Sequence, residues 1–562
     1  MRKWLGPALS APVTIWLAFA FAAPLLAVVM LSLHEYSDPF APLLQVPSLQ
    51  QFIDIASDSF YYKVVFETIW LSLLVTLVSA LLGYPVAFWI ARLPVKYRAL
   101  AFSIILIPLL TNVVVRSLGI ILLLSPDGLI NTVIGWFGIP SFNKMLFNQG
   151  AVVVALVQVF MPFMVLALYD NLQNTSPRIH EAAESLGASP AMRFLTVDLP
   201  LSLPGLKSGM IIVFLMASTS YVSAVMLGGK KVWTTGMLVL QEAMQNLNTS
   251  LAAALALIMT ATGLIFAVLA TLALNRMMGW RHGGKSRPLA IPRFVEPLAN
   301  IAGPIVSKLL FAAAVGLLLL PLFLVAVQSF NNVELATAAG FRGFTLRWYK
   351  EIFINGYYTD SFLISVKLAL VSLLVSLIVA VPAAFALARF PFKGRSALLA
   401  FWLLPLSLPH VALGVGMLKL LQIYIAIPPF IGLMAIHVVV ILPFAITLLT
   451  ASVLGLDHSQ EEAAASLGAN GMKRFFLIIV PGLMPGLFAT SIVGFLLSFD
   501  EVTVTSFLTT ARMTTLPVRL YAEASFELRP TAHALSTVLI LLTVIMLALV
   551  GRFVRLDRLY AR

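Results

Sequence analysis

The sequence contains no cysteine and few charged residues. None of its 562 residues is cysteine, so disulfide bonds, thiolate nucleophiles and cysteine-ligated metal sites are excluded. Only 10% of the residues are charged, 60% are hydrophobic, and the mean hydropathy is +0.99. Soluble globular domains carry about 25% charged residues. The composition therefore excludes an ordinary soluble protein and predicts a chain embedded in lipid.

Basic residues outnumber acidic ones, which gives a formal net charge of +13. In a soluble protein such an excess would suggest nucleic-acid binding. Here the lysines and arginines cluster in short segments between apolar runs, which is typical of the positive-inside bias of membrane proteins. We therefore expect membrane lipid around the chain, no nucleic-acid partner, and both termini on the cytoplasmic side of the membrane.

Twelve apolar segments are long enough to cross a bilayer, which takes about 20 residues. The first of them is too long for a secretory signal peptide and is interpreted as a span. The predicted spans are 11–33, 68–91, 99–124, 151–169, 206–228, 250–275, 304–328, 364–388, 397–421, 430–450, 487–509 and 533–551. The predicted fold is an all-α membrane protein with about twelve transmembrane helices.

The chain is also a tandem repeat. EAAESLGASPAMRFLTVDLPLSLPG, which begins at Glu181, matches EAAASLGANGMKRFFLIIVPGLMPG, which begins at Glu462, at a numbering offset of 281 (462 − 181). PVAFWIARLP from Pro85 matches PAAFALARFP from Pro382 at a numbering offset of 297 (382 − 85). The first half thus has 16 extra residues (297 − 281), which we place in the loop after its third span. We expect two parallel six-span halves, at 1–276 and 304–562, joined by a cytoplasmic linker at 277–303.

A phosphate-loop pattern occurs at the junction of the halves. GWRHGGKS, at 279–286, fits G-x-x-x-x-G-K-[ST]. Such a loop needs a buried strand before it and a helix after it, whereas the residues before this stretch end a membrane helix. A nucleotide-binding domain also needs more than about a hundred residues, and the linker is far shorter. We interpret the match as chance and expect no cofactor in this chain; if energy is consumed, a separate subunit consumes it.

The two EAA segments, at 181–200 and 462–481, carry the main functional signal. Alanine favours a short helix, and glycine permits a left-handed turn that ends it. A glutamate there offers a carboxylate to a basic partner. We predict that each segment transmits movement from a bound protein to the spans; an amphipathic loop without a partner is the alternative, which the duplication disfavours. The residues are Glu181, Ala182, Ala183, Gly187 and Pro200 in the first copy, and Glu462, Ala463, Ala464, Gly468 and Pro481 in the second.

On these residues the sequence resembles the membrane permeases of type I ATP-binding-cassette (ABC) importers. The EAA-G-LP segment is the signature of that family, and the resemblance covers nearly the whole chain in two copies. It implies that two copies of a cytoplasmic ABC ATPase, which bind ATP and magnesium, dock on the EAA helices, one on each, and that the chain lies in a bacterial inner membrane. It also implies that a periplasmic or extracellular substrate-binding protein delivers the substrate, and that the path opens by alternating access.

The substrate class is suggested by two further stretches. STSYVSAVMLGGKKVW from Ser218 and SFDEVTVTSFLTT from Ser498 resemble the paired permeases for spermidine and putrescine. The same branch includes permeases for ferric iron and for aminoethylphosphonate, so these substrates stay open. Polyamines or related amines are the favoured substrates.

Asp500 and Glu501 are the main candidates for the translocation path. They fall inside the predicted eleventh span, where charged side chains are costly and mark functional sites. Two carboxylates suit a passing polycation. Ser220 and Tyr221 of the first half are candidates too, and for all of them a structural role within the bundle is the alternative.

The alternatives to an importer permease are an ion-coupled secondary transporter and a membrane enzyme. An ion-coupled secondary transporter also often has twelve spans in two halves, but it would need no EAA helix. The sequence shows no Ser/His/Asp arrangement for a nucleophile, and its seven histidines have no metal-like grouping. We therefore expect no catalytic and no metal-binding residues, and no enzyme activity in this chain.

Overall fold

The computed structural model describes residues 2–35, 46–138, 140, 144–173, 175–229, 231–278, 296–334, 340–406, 408–420, 425–526 and 529–553. The stretch GWRHGGKS at 279–286 lies outside the described residues, together with most of the predicted linker. The predicted division into 1–276, 277–303 and 304–562 stays a prediction.

Helices form nearly all of the described chain. In the first half they are α1 (Arg2–Leu17), α2 (Ala23–Ser32), α3 (Gln50–Ser57), α4 (Ser59–Arg92), α5 (Val95–Leu110), α6 (Val113–Leu124), α7 (Leu129–Trp136), α8 (Gln149–Leu172), α9 (Pro177–Ser185), α10 (Pro190–Arg193), α11 (Leu199–Ser218), α12 (Val222–Gly228), α13 (Thr235–Met244) and α14 (Thr249–Met278). In the second half they are α15 (Glu296–Gln328), α16 (Arg347–Ile354), α17 (Gly356–Arg389), α18 (Arg395–Leu403), α19 (His410–Met417), α20 (Pro429–Leu454), α21 (His458–Ser466), α22 (Gly471–Arg474), α23 (Val480–Phe499), α24 (Thr505–Leu508), α25 (Leu516–Phe526) and α26 (Pro530–Phe553).

The all-α membrane fold predicted from the sequence is confirmed. Among the described residues, eleven helical segments are long and apolar enough to cross a membrane, and one bent helix pair brings the number to twelve. Four predicted spans, at 99–124, 206–228, 397–421 and 487–509, are broken rather than continuous helices. Hydropathy did not reveal the breaks because the residues on both sides of each are apolar.

The breaks have local causes. In the first half α5 ends at Leu110, Thr111 is extended, and the side chain of Asn112 accepts a hydrogen bond from the Val114 backbone at 2.8 Å to begin α6. In the second half the helical segments Arg395–Leu406 and His410–Leu420 meet at an angle of 89°. Pro409 stands there, and a proline disfavours helical backbone in the residue before it.

The two halves repeat each other helix by helix. The bounds of α17 are those of α4 shifted by 297 (356 − 59), and the bounds of α23 are those of α11 shifted by 281 (480 − 199). The extra residues of the first half fall between α6 and α8 and contain α7, which is where the sequence comparison placed them. The duplication seen in the sequence is therefore a duplication of structure.

Each half packs around three long helices, and its first helix crosses to the other half. The central helices are α4, α8 and α11 in the first half, and α17, α20 and α23 in the second. α1 packs against α17, while α15 packs against α4 and α6. The crossing is fastened by polar contacts: the Trp402 indole N–H donates to the Thr14 hydroxyl at 3.2 Å, and that of Trp16 donates to the Ala435 carbonyl at 3.4 Å.

Candidate functional site

The two EAA segments fold as helices that end in the same way. Glu181, Ala182 and Ala183 lie in α9, and Glu462, Ala463 and Ala464 lie in α21. A left-handed glycine follows each helix, with φ of +79° at Gly187 and +82° at Gly468. The Ala188 N–H then returns to the Ala183 carbonyl at 3.0 Å, and the equivalent bond in the second copy is also 3.0 Å. Both copies thus have the predicted helix and glycine stop, while their role in coupling stays a prediction.

The tip of each EAA helix presents an exposed leucine. Leu186 is 87% exposed and Leu467, at the equivalent position, is 89% exposed. Glu181 and Glu462 are exposed as well. A single exposed leucine is ordinary on a protein surface. Its repetition at the same place in both halves shows that the two EAA helices end with equivalent exposed surfaces.

A continuous helical path leads from each EAA segment into the fifth span. Beyond the glycine, α10 and α22 run through π turns at Phe194–Asp198 and Phe475–Ile479 into α11 and α23. Pro200 and Pro481 stand in the first turns of α11 and α23. Proline lacks the backbone N–H that a regular helix interior uses, and each of these prolines follows closely on a π turn, where the hydrogen-bond pattern changes. α10 and α22 are therefore continuous with the membrane helices that follow them.

An arginine at the end of α4 and of α17 holds the EAA region of each half. In the first half Arg92 Nη2 lies 3.1 Å from Asp198 Oδ1, and His180 Nε2 lies 2.7 Å from the same oxygen. In the second half Arg389 donates to Glu461 Oε1 at 2.7 Å. Sequence reasoning missed these residues. Arg92 and Arg389 were visible as the matched arginines of PVAFWIARLP and PAAFALARFP.

The first EAA region also contacts the second half. The Ser189 hydroxyl donates to Glu296 Oε1 at 2.5 Å, and the Ala191 N–H donates to the Asn300 side chain at 3.0 Å. Glu296 and Asn300 lie in the first turns of α15. The helix that opens the second half is therefore tied to the EAA region of the first.

Asp500 and Glu501 do not lie inside a helix, which corrects the prediction from hydropathy. α23 ends just before them, and α24 begins a few residues later. Ser220 and Tyr221 occupy the equivalent break between α11 and α12. The four candidates thus share two related helix breaks at membrane depth, where transporters commonly form binding sites from interrupted helices.

Glu501 makes hydrogen bonds within the break between α23 and α24. Its side chain is mostly buried, with 8% of the residue exposed. Oε1 accepts from the Val504 N–H at 3.0 Å, and Oε2 accepts from the Thr505 N–H at 2.9 Å and from the Thr505 hydroxyl at 2.6 Å. These bonds hold the start of α24, so the geometry favours the structural alternative for Glu501.

His437 of α20 fastens the same break from the other side. Its Nδ1 lies 2.7 Å from the Ser498 hydroxyl and its Nε2 lies 3.0 Å from the Thr505 hydroxyl. The ring bridges the end of α23 and the beginning of α24. His437 is therefore a buried contact between α20 and the break after α23.

Tyr221 joins the two halves. Its hydroxyl donates to the Ser506 hydroxyl at 3.1 Å, and its ring meets the Tyr521 ring edge-on with centroids 5.8 Å apart. Tyr221 is buried, whereas Ser220 beside it is only partly buried. We name the surface where the break after α23 meets α6 and α12 the seam.

Asp500 lies at the seam beside two residues that sequence reasoning missed. The Asn112 side chain donates to the Asp500 backbone carbonyl at 3.0 Å. Arg116, on the same helix as Asn112, is buried with 6% of the residue exposed. The signal was present in the sequence, because Arg116 is a charged residue inside the predicted span 99–124.

The chain is similar to permeases of polyamine transport systems. It is 34% identical over 175 residues to the spermidine/putrescine transport system permease protein PotB of Escherichia coli, covering 31% of this chain and 64% of the relative. It is 27% identical over 232 residues to the corresponding PotC of Haemophilus influenzae, covering 41% of this chain and 90% of the relative. The match thus spans just under two thirds of the length of PotB.

The chain also aligns with a solved transporter structure. A crystal structure of a bacterial alginate ABC transporter, in complex with an alginate pentasaccharide-bound periplasmic protein, aligns at 17% identity with a TM-score of 0.42. The alignment covers 49% of this chain and 96% of that one.

The family model of the binding-protein-dependent transport system inner membrane component matches the chain twice, at residues 83–279 and 372–556. The chain therefore belongs to this family, the inner membrane components of binding-protein-dependent transport systems.

Proposed function

We propose that the chain forms the substrate path of an importer for polyamines, with spermidine or putrescine as substrates, or for a related amine. The observation that carries the substrate class is the similarity to permeases named for spermidine and putrescine transport. Asp500 at the seam supports it, because a carboxylate at membrane depth is the charge complement of an ammonium group.

In this proposal two copies of an ABC ATPase bind the EAA helices, with Leu186 and Leu467 at the centre of each contact. The EAA end of the bundle then faces the cytoplasm, together with both termini, and membrane lipid surrounds the spans. A substrate-binding protein docks on the opposite face. The support is the similar geometry of the two EAA copies, which place an exposed leucine and a left-handed glycine at equivalent positions on one chain.

Alternating access follows from the same arrangement. ATP binding draws the two ATPase copies together, and α9 and α21 move with them. The continuous paths into α11 and α23 carry this movement to the seam, where Tyr221 and Ser506 connect the halves. The permease contributes different substrate affinities in its two states and no chemistry of its own.

Uptake of labelled spermidine and putrescine tests the proposed function. The chain is reconstituted in proteoliposomes with its cognate ABC ATPase and substrate-binding protein. We expect saturable uptake that an ATPase variant unable to hydrolyse ATP abolishes. No uptake of either amine by a verified complex would contradict the polyamine proposal and direct the search to ferric iron and aminoethylphosphonate.

Substitutions at the exposed leucines test the coupling surface. We expect Leu186→Asp combined with Leu467→Asp to weaken binding of the ATPase by about tenfold or more, because a buried carboxylate in the contact is costly. The control is Leu49→Asp, since Leu49 is 62% exposed at the opposite end of the bundle. Equal ATPase retention by the EAA variant and the control in pull-down would contradict the proposed surface.

A further inference from the structure

Arg116 is a buried cation whose hydrogen-bonding groups are only partly used. One guanidinium nitrogen, Nη1, donates to the Val159 carbonyl at 3.3 Å. The Nε nitrogen is buried and has no hydrogen-bond partner among the described residues. Buried polar groups in native proteins are nearly always bonded, and an exception calls for an explanation. The unpaired Nε indicates that Arg116 does more than stabilise the packing of α6 against α8.

Asn112 sets Arg116 beside Asp500. Asn112 begins α6 and donates its side-chain N–H to the Asp500 carbonyl at 3.0 Å. Arg116 lies one helical turn further along α6, on the same face. Arg116 and Asp500 therefore lie on the two sides of the contact that Asn112 makes across the seam, and their side chains carry opposite formal charges.

Each of the two charges is present in one half only. At the offset of 297, Arg116 corresponds to Leu413, and at the offset of 281, Asp500 corresponds to Thr219. Neither position is charged in the other copy. Duplication therefore does not account for the arginine or the aspartate. Their opposite charges meet only because α6 of the first half faces the break of the second.

We propose that Arg116 is a specificity-determining residue, which acts as the counter-ion of Asp500 until a substrate ammonium group replaces it. This inference rests on the proposed function as an amine importer. An entering amine takes over the carboxylate, and the guanidinium withdraws; one cation exchanges for another and no covalent bond changes. A neutral or anionic solute has no charge with which to displace Arg116, so the pair rejects it.

A double replacement separates this role from a purely structural one. Removing one partner of a buried charge pair leaves the other uncompensated, whereas replacing both by neutral groups of similar size is often tolerated. A structural pair therefore predicts that Arg116→Gln with Asp500→Asn restores the function lost in either single variant. A pair that exchanges with substrate predicts no restoration, because the neutral seam has no carboxylate for the ammonium group.

The experiment measures spermidine uptake and ATP hydrolysis in the same proteoliposomes. We expect uptake by Asp500→Asn, and by the double variant, to fall about tenfold or more below the wild-type chain. ATP hydrolysis stimulated by the loaded binding protein should persist in both variants. Arg116→Lys, which keeps a cation, should retain more uptake than Arg116→Gln. The control is Thr543→Ala, because Thr543 is buried in α26 and its hydroxyl bonds only the Leu539 carbonyl of the same helix at 3.0 Å.

The outcomes distinguish the inference from the function on which it rests. If the wild-type chain takes up spermidine and the double variant matches it within about twofold, the pair is structural and the inference is overturned. If the wild-type chain takes up no amine, the proposed function fails and the exchange fails with it. Low uptake by the double variant with preserved ATP hydrolysis and a normal Thr543→Ala control supports the exchange.

Discussion

Gly119 of α6 lies directly against the backbone carbonyl of Pro321 in α15, so closely that a Cβ on the glycine would overlap the carbonyl oxygen. The same relationship recurs between Gly416 of α19 and Pro24 of α2. The two pairs occupy equivalent positions in the repeat, and each joins a helix of one half to the first long helix of the other. The crossing of the halves therefore rests on two equivalent backbone contacts that only glycine allows.

A larger side chain at these glycines should loosen the crossing. We expect Gly119→Val and Gly416→Val each to cost about 1–3 kcal/mol of stability, because the backbone opposite has little room to yield. The matched control is Gly316→Val, since nothing lies within 4 Å of a Cβ built on that helical glycine. Thermal unfolding of the purified chain in detergent measures the effect. Equal unfolding temperatures for all three variants would contradict the packing argument.

The glycines of the EAA segments should respond to backbone strain rather than to bulk. Nothing lies within 4 Å of a Cβ on Gly187 or Gly468, but φ is positive at both. We expect uptake to fall strongly when both are replaced by valine and less when both are replaced by asparagine, which tolerates the left-handed region better. Binding of substrate to the soluble binding protein should persist in both cases. Equal uptake by the valine and asparagine variants would contradict a role for the left-handed turn.

Much of this architecture was predictable from the sequence. Hydropathy identified the membrane helices, and self-comparison identified the two halves and the insertion that contains α7. The helix and glycine stop of each EAA segment followed from residue propensities, because alanine and glycine act locally. These features depend on short stretches of chain, so reading those stretches was sufficient.

The arrangement at membrane depth was not predictable in the same way. Hydropathy averages over a window and does not register a helix break between two apolar segments, as happened on both sides of Thr111 and after Phe499. The role of Glu501 in holding α24 depends on backbone N–H groups that a break exposes. Arg116 was visible as a charge within a span, but its relation to Asp500 depends on packing between residues hundreds of positions apart.

The ion pair between Arg389 and Glu461 should matter for coupling and not for assembly. Both side chains are mostly buried, with relative exposures of 16% and 12%. We expect Arg389→Gln to lower the uptake per ATP hydrolysed, because α17 then no longer holds α21. Exchanging the two charges, in Arg389→Glu with Glu461→Arg, should recover part of the lost uptake per ATP hydrolysed. Comparison of the two single variants with the double variant forms a double-mutant cycle that measures the interaction.

The control for this pair is Arg395→Gln, since Arg395 is exposed at the start of α18 nearby. Uptake and ATP hydrolysis measured together give the coupling ratio, and co-purification of the ATPase shows that the complex assembles. A coupling ratio for Arg389→Gln equal to that of the control would show that the ion pair does not transmit movement.

The contact between Tyr221 and Ser506 should break whenever the path opens between the halves. The chain has no cysteine, so a pair of cysteines at these positions can be cross-linked without altering any other residue. We expect a short thiol cross-linker on Tyr221→Cys with Ser506→Cys to stop uptake, and a reducing agent to restore it. The matched control is Ser117→Cys with Ser223→Cys, because those hydroxyls lie 3.0 Å apart within the first half. Two halves that move as rigid bodies leave the control pair together throughout the cycle, so its cross-link should spare uptake. Uptake that continues with the 221–506 cross-link fully formed would mean that the path opens elsewhere than at the seam.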